Sequence, residues 1–192
     1  SARGDVVITR FADDFIVGFQ YRSDAERFLR ELKQRLQQFS LELHPEKTRL
    51  IEFGRFAAKT RVNAKLGAPE TFNFLGFTHA CGTTGNDKFQ IKRRTMQKRM
   101  TAKLHELKLE LQRRRHQPIP EQGRWLRQVV EGYFGYYAVP GNEKRLRSFR
   151  DQLKRLWLRA LRRRGQRDKM NWERMGRLED RWIPPVQWRQ RW

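Results

Sequence analysis

The fold is decided first by residues 6–19, whose sequence is VVITRFADDFIVGF. Two β-prone runs flank a short polar segment, so the pattern predicts a β-hairpin spanning residues 5–20. The adjacent carboxylates of Asp13 and Asp14 in its turn would repel each other without a nearby cation. Carboxylate oxygens suit Mg²⁺, which proteins usually hold with one or two carboxylates and substrate phosphates. The alternative is an ordinary exposed polar turn, but the apolar strands on both sides favour a metal-binding turn.

Residues 23–40 predict an amphipathic helix, since apolar side chains recur along them at helical spacing. Ser23 followed by Glu26 is typical of a capping box at its start. The rest of this half predicts a strand over 49–53, a loop over 54–71, a strand over 72–78 and its hairpin partner over 89–92.

From residue 95 onward the apolar period is helical. It predicts a first helix ending before Pro118, a second over 125–137, a third over 143–164 and a short one over 172–178, with an extended arm after it. Short connections between the first three helices indicate a small bundle. The fold class is therefore α+β, with β-hairpins and one helix followed by an all-α three-helix domain.

The chain carries a net charge of +22. Residues 1–90 contribute +3 and residues 91–192 contribute +19. A polycation of this kind needs a polyanionic partner, and nucleic acid is favoured over an anionic membrane surface. The single cysteine, Cys81, excludes an intrachain disulfide and a cysteine-based zinc site, and indicates a reducing compartment. No apolar run is long enough to span a bilayer and no signal peptide is visible.

Residues 2–19 closely resemble the polymerase active-site hairpin of bacterial group II intron reverse transcriptases. That family usually has Tyr-Ala-Asp-Asp, and here Phe11 replaces the tyrosine and loses one hydroxyl. The resemblance implies that Asp13 is the main ligand of a catalytic Mg²⁺ or Mn²⁺ and that Asp14 assists. Both would belong to a two-metal nucleotidyl-transfer site.

Two further motifs follow in the order that this family shows. Residues 44–49 resemble the motif whose lysine, here Lys47, lies close to the incoming nucleotide and could neutralise or protonate the leaving pyrophosphate. An ordinary surface lysine after a proline turn is the equal alternative. Residues 72–77 resemble the primer grip, a hairpin that holds the 3′ end of the growing strand. Its implied residues are Phe74, Leu75, Gly76 and Phe77, although a plain core strand would also need the phenylalanines.

The basic half resembles the thumb of these proteins, which is called domain X in maturases. We predict a partial palm over 1–92, the thumb over 93–165 and a tryptophan-rich tail over 166–192. Arginine suits phosphate and RNA binding, whereas any single basic residue could simply solvate a helix. The predicted nucleic-acid-binding residues are Arg93, Arg94, Lys98, Arg99, Lys103, Arg113, Arg114, Arg115, Arg147, Arg150, Lys154, Arg155, Arg159, Arg162, Arg163 and Arg164.

The resemblance implies an RNA-directed DNA polymerase and intron maturase of the bacterial cytoplasm, associated with the nucleoid. Its expected partners are group II intron RNA, an RNA template with a DNA primer, dNTP and a missing N-terminal half of the polymerase. The chain begins as a fragment would, without the upstream palm carboxylate and fingers, so we expect no polymerisation by this chain alone. The alternatives are a catalytically incomplete RNA-binding module that assists splicing, and a remnant without a retained role.

Overall fold

The computed structural model describes residues 2–165 and 170–187. The chain divides into two compact units, Ser1–Glu70 and Thr71–Trp192. This division lies upstream of the boundary predicted between residues 92 and 93, because a three-stranded sheet belongs to the second unit. The assignment of domain roles remains a prediction. The α+β class is confirmed, with two antiparallel sheets and six helices among the described residues.

The first unit opens with the predicted hairpin. Strands β1 (Val6–Phe11) and β2 (Asp14–Phe19) pair antiparallel, from Val6 opposite Phe19 to Phe11 opposite Asp14. β-branched and aromatic residues supply the propensity for both strands. Only two residues separate the strands, so Asp13 lies in the turn and Asp14 already begins β2.

Helix α1 (Arg22–Gln37) follows, and its phenylalanine Phe28 packs against Phe19 of β2 with ring centroids 5.3 Å apart. The predicted capping box is wrong, because the N-cap residue is Tyr21 and no side chain caps it. The Ser23 hydroxyl instead accepts a hydrogen bond from Arg3 at 2.6 Å. The Arg3 side chain thus links the N-terminal segment of the first unit to the start of α1.

The segment after α1 differs from its prediction. Residues 49–53 form no strand, since no strand of the described structure pairs with them, and the predicted loop contains helix α2 (Ala57–Asn63). Ion pairs connect the segment before α2 and α2 itself to Glu70. Glu70 accepts from Arg49 at 2.8 Å and lies 3.7 Å from the Arg61 guanidinium. Arg61 also donates to the backbone carbonyls that close the loop after α2.

The second unit begins with a sheet in the order β3 (Phe72–Phe74), β4 (Phe77–Thr83) and β5 (Phe89–Thr95). The single strand predicted over 72–78 is wrong, because the chain reverses at residues 75 and 76 and pairs Phe74 with Phe77. Gly76 favours the second position of such a turn, but Leu75 stands at the first position, where Asn or Asp is usual. The partner strand predicted over 89–92 is present and extends to Thr95.

Three helices then form the predicted bundle: α3 (Gln97–Arg113), α4 (Ile119–Tyr137) and α5 (Glu143–Arg162). Helix α4 begins six residues before its prediction, since proline is tolerated in the first turn of a helix, where Pro120 lies. The core is the shared apolar face of these helices, with Leu107, Leu126 and Trp157 completely buried.

Helix α6 (Trp172–Trp182) joins this core instead of standing apart as a tail. Met175 and Ile183 are buried against the bundle, and α6 packs on both α4 and α5. Residues 183–187 are without regular structure, and the rest of the predicted arm, with Trp188 and Trp192, lies outside the described residues. No helix in the described part of the chain has the length and apolarity needed to cross a membrane.

Candidate functional site

The turn between β1 and β2 places its acidic residues at the exposed end of the hairpin. Ala12 adopts φ +53°, a left-handed conformation that costs a residue with a Cβ about 1 kcal/mol. The Arg10 guanidinium donates to the Ala12 carbonyl at 2.8 Å and supports this conformation. Asp13 and Asp14 are both exposed. Backbone strain of this kind is concentrated at functional sites, and it occurs here beside the two carboxylates.

The donor set of the turn fits a partial magnesium site. Two exposed carboxylates on adjacent residues provide hard oxygen ligands, and Mg²⁺ commonly takes one or two of these with water and phosphate. The described residues contain no group of three or more histidine, cysteine or acidic side chains arranged to hold a metal. Asp13 and Asp14 are therefore the two protein ligands that this hairpin can offer.

Lys47 lies in a separate turn of the first unit. Its backbone N–H and that of Thr48 both donate to the His44 carbonyl, at 3.2 and 2.9 Å. The Lys47 side chain is exposed, and the structure gives it no ion pair or hydrogen bond with the described residues. The nucleotide-proximal role of Lys47 stays a prediction, as do the catalytic roles of Asp13 and Asp14.

The predicted primer-grip residues form the β3–β4 hairpin of the second unit. Leu75 and Gly76 make its two-residue turn, with φ values of +48° and +78°. Phe77 is buried, Phe74 is partly buried and Leu75 is exposed at the tip. The hairpin therefore presents a backbone turn and one apolar side chain to the surroundings, and anchors itself through its phenylalanines.

All the predicted nucleic-acid-binding cations except Arg93 fall into three groups by what their side chains contact. Some are exposed, with no ion pair or hydrogen bond to described residues: Arg94, Lys98, Arg99, Arg155, Arg159 and Arg163. Others bond to a carboxylate or backbone carbonyl: Lys103, Arg113, Arg114, Arg115, Arg147, Arg162 and Arg164. Arg93 is partly buried in β5. The first group can meet a phosphate without breaking an internal contact.

The third group points inward. Arg150 and Lys154 of α5 both form ion pairs with Glu179 of α6, and their side chains are 22% and 25% exposed. Glu179 itself is buried. Arg150 also donates to the carbonyls of Ile183 and Pro184, both at 3.2 Å. These contacts hold α6 on the bundle, so the two cations have a structural role that their positions on α5 did not reveal.

Sequence reasoning missed three residues that support the second unit. The Tyr136 hydroxyl donates to the Leu75 carbonyl at 2.9 Å, and Tyr137 packs against Gly76. The buried Asn142 side chain accepts from the Thr95 N–H at 2.8 Å. The aromatic run over 132–137 was the available signal for the tyrosines. No local signal identifies Asn142, because its partner is 47 residues away.

Comparison with known proteins bears on the N-terminal part of the chain, which contains Asp13, Asp14 and Lys47. Residues 1–79 match the family model described as reverse transcriptase (RNA-dependent DNA polymerase). This segment is similar to reverse transcriptases. The match contains the hairpin with Asp13 and Asp14, the turn with Lys47, strand β3 and the start of β4. It supports an RNA-directed DNA polymerase as the class of protein. No curated protein matches the chain.

Proposed function

We propose that this chain supplies the palm aspartates and the thumb of a reverse transcriptase of the group II intron maturase kind. The observation that carries the proposal is the Asp13–Asp14 pair at the end of a β-hairpin, inside the segment that matches reverse transcriptases. The strongly basic stretch over 91–192 provides the second support, since a template–primer duplex and a structured intron RNA are both polyanions.

In this function Asp13 and Asp14 hold Mg²⁺, for which Mn²⁺ can substitute. The bound ions would neutralise charge on the reacting phosphates of a dNTP. The chain's own contribution is to hold two carboxylates at a solvent-exposed tip, on a hairpin whose turn Arg10 stabilises. Lys47 is proposed to act on the departing pyrophosphate as a hydrogen-bond or proton donor.

Paramagnetic Mn²⁺ tests the metal site directly. In the wild-type chain we expect Mn²⁺ to broaden the amide resonances of residues 12–14 at concentrations that leave other resonances sharp. The Asp13→Asn, Asp14→Asn double variant should lose this selective broadening. Asp151→Asn removes an exposed carboxylate from α5 and is the control that should leave it unchanged. Equal broadening in the wild type and the double variant would refute a metal site at this turn.

The exposed cations of α5 test nucleic-acid binding. Each phosphate contact contributes about 0.7–0.9 to the slope of log affinity against log salt concentration. If Arg155 and Arg159 each bind one phosphate, replacing both with Gln should make the slope shallower by about 1.4–1.8. Arg30→Gln with Lys33→Gln removes the same charge from exposed positions on α1 and should change the slope much less. Equal changes in both variants would show that only net charge matters.

The alternative is an RNA-binding maturase module that assists splicing without polymerising. The basic surface favours it, because phosphate binding by the second unit does not depend on Asp13 or Asp14. Template-primed nucleotide incorporation by the purified chain would exclude this alternative. Incorporation by the purified chain that Asp13→Ala abolishes would contradict our expectation that this chain alone does not polymerise. RNA binding that survives Asp13→Ala supports an RNA-binding module, whether or not the chain incorporates nucleotides.

A further inference from the structure

The turn that joins β3 to β4 has an unusual residue at its first position. Two-residue hairpin turns with positive φ at both positions strongly favour Asn-Gly or Asp-Gly. Here Leu75 occupies the first position at φ +48°, although a bulky residue is rarely found there. Its side chain is 36% exposed, so burial in a core does not explain the choice. The strained turn must be held by contacts from outside the hairpin.

Three such contacts are present, and all come from the second unit. The Tyr136 hydroxyl donates to the Leu75 carbonyl at 2.9 Å, and the Met96 N–H donates to the Gly76 carbonyl at 3.0 Å. The Tyr137 hydroxyl oxygen lies 2.9 Å from the position that a Cβ on Gly76 would occupy. Both carbonyls of the turn are therefore bonded, and its glycine lies directly against a side chain of α4.

The same tyrosines also contact the strand that follows the turn. Phe77 stacks on Tyr136 with ring centroids 5.9 Å apart, and Tyr137 meets the Phe77 ring edge-on at 5.2 Å. Aromatic pairs at these separations prefer such offset and edge-to-face arrangements. Helix α4 thus contacts the hairpin at the Leu75 carbonyl, at the Gly76 backbone and at the Phe77 ring, which leaves the turn little freedom to tilt.

Because Tyr136 is exposed, its effect on the position of the turn can be distinguished from its effect on the stability of the chain. Tyr136 is 54% exposed, and water could reach the Leu75 carbonyl if the hydroxyl were absent. A hydrogen bond that water can replace contributes little to the free energy of unfolding. Its main consequence is geometric, because it fixes the direction of one carbonyl at the tip of the hairpin.

We propose that Tyr136 and Tyr137 are positioning residues, which set the place of the Leu75–Gly76 turn and through it the terminus of the strand being extended. This inference rests on the proposed function and on the primer-grip role that the sequence resemblance implies for the β3–β4 hairpin. Leu75 touches the terminal nucleotide, and α4 determines where Leu75 lies. The β3–β4 hairpin therefore moves together with the helical bundle.

Amide hydrogen exchange tests the positioning contact. Tyr136→Phe keeps the ring and removes the donor. Exchange of the Met96 amide, which donates to the Gly76 carbonyl, and of the Phe77 amide should become about two- to fivefold faster. The urea midpoint of the chain should not change, whereas a merely structural role would lower it. Tyr21→Phe removes a hydroxyl from a half-exposed tyrosine of the first unit and is the matched control. Unchanged exchange in Tyr136→Phe, or a lower urea midpoint in parallel, would overturn the inference.

A second pair of variants tests the contact with Tyr137. Gly76→Ala places a methyl group against the Tyr137 hydroxyl and should speed exchange in the turn. Part of this effect should disappear in a Tyr137→Phe background, where the next nearest ring atoms are at 3.5 and 3.6 Å. Gly85→Ala, with open space around its Cβ position, is the control in the same unit. Identical effects of Gly76→Ala in both backgrounds would refute the role of Tyr137.

A photoreactive base at the primer terminus tests the proposed function separately. With the wild-type chain on a primer–template duplex, we expect cross-links to residues 72–77. The yield should fall in Tyr136→Phe while the affinity for the duplex stays the same. If the wild-type chain gives no such cross-link, gripping by this hairpin is refuted, and the hydrogen exchange result still decides whether Tyr136 positions the turn.

Discussion

Asn142 joins the end of the sheet to the bundle within the second unit, and its removal should be costly. The residue is completely buried, and Thr95 beside it is 1% exposed. The Asn142 side chain accepts from the Thr95 N–H at 2.8 Å and donates to the Thr95 hydroxyl at 2.7 Å. It also donates to the Tyr137 carbonyl at 2.9 Å. One amide group therefore bonds to three polar groups, two on Thr95 of β5 and one on Tyr137 of α4.

Asn142→Ala leaves one buried backbone group without a partner, the Thr95 N–H, because the Tyr137 carbonyl still accepts from the Val139 N–H at 2.8 Å. Each buried group left unsatisfied costs about 1–3 kcal/mol, and the Thr95 hydroxyl can rotate to reduce its own loss. Water entering the space left by the amide would satisfy part of the rest. We therefore expect the free energy of unfolding to fall by about 1–3 kcal/mol.

Urea unfolding followed by tryptophan fluorescence measures this change. Trp157 is buried in the core of the same unit and reports its unfolding. Asn171→Ala is the matched control, because Asn171 is exposed and its side chain accepts one N–H, that of Arg174, at 2.9 Å. Loss of such a helix cap costs about 1 kcal/mol. If Asn142→Ala costs no more than Asn171→Ala, the buried amide does not join the sheet to the bundle as we have argued.

Three other predictions concern charge. Burial, with a smaller effect of Arg93, lowers the pKa of His79 below its usual value. The unfolded chain then binds the proton first as pH falls, so stability should decrease from pH 7.5 to 5.5, and urea midpoints of His79→Gln should depend less on pH. The pKa of Asp24 is lowered mainly by a hydrogen bond that its carboxylate accepts from the Arg3 N–H. The Asp24 carboxylate therefore stabilises the folded chain above the pKa that it has in the unfolded chain. This stabilisation is lost as pH falls through the pKa that it has in the folded chain. Asp24→Asn should therefore weaken the acid dependence of amide exchange in α1, and an unaltered acid profile would count against the Arg3 contact. Glu179→Gln leaves two partly exposed cations facing a neutral amide and should cost about 1–3 kcal/mol in urea unfolding, whereas a cost near zero would mean that the ion pairs do not hold α6.

The local features of this protein follow from its sequence because each depends on neighbours along the chain. Runs of β-prone residues on both sides of Asp13 and Asp14 predict the hairpin and its acidic end. Apolar residues at helical spacing predict α3, α4 and α5 together with the faces that they bury. The same reasoning was wrong over 49–53, where a β-prone run has no strand to pair with, and at Leu75, which begins a turn although only the second turn residue, Gly76, favours one.

Only the tertiary structure decided what each polar side chain on those elements does. The pattern of α5 marks Arg150, Lys154 and Arg155 alike as cations beside an apolar stripe, yet Glu179 of α6 engages the first two and leaves Arg155 exposed. The physical reason is that the spacing of apolar residues along a helix shows only which of its faces avoids water. The carboxylate or carbonyl that meets a particular cation comes from an element distant in sequence, and is present only after that element has packed.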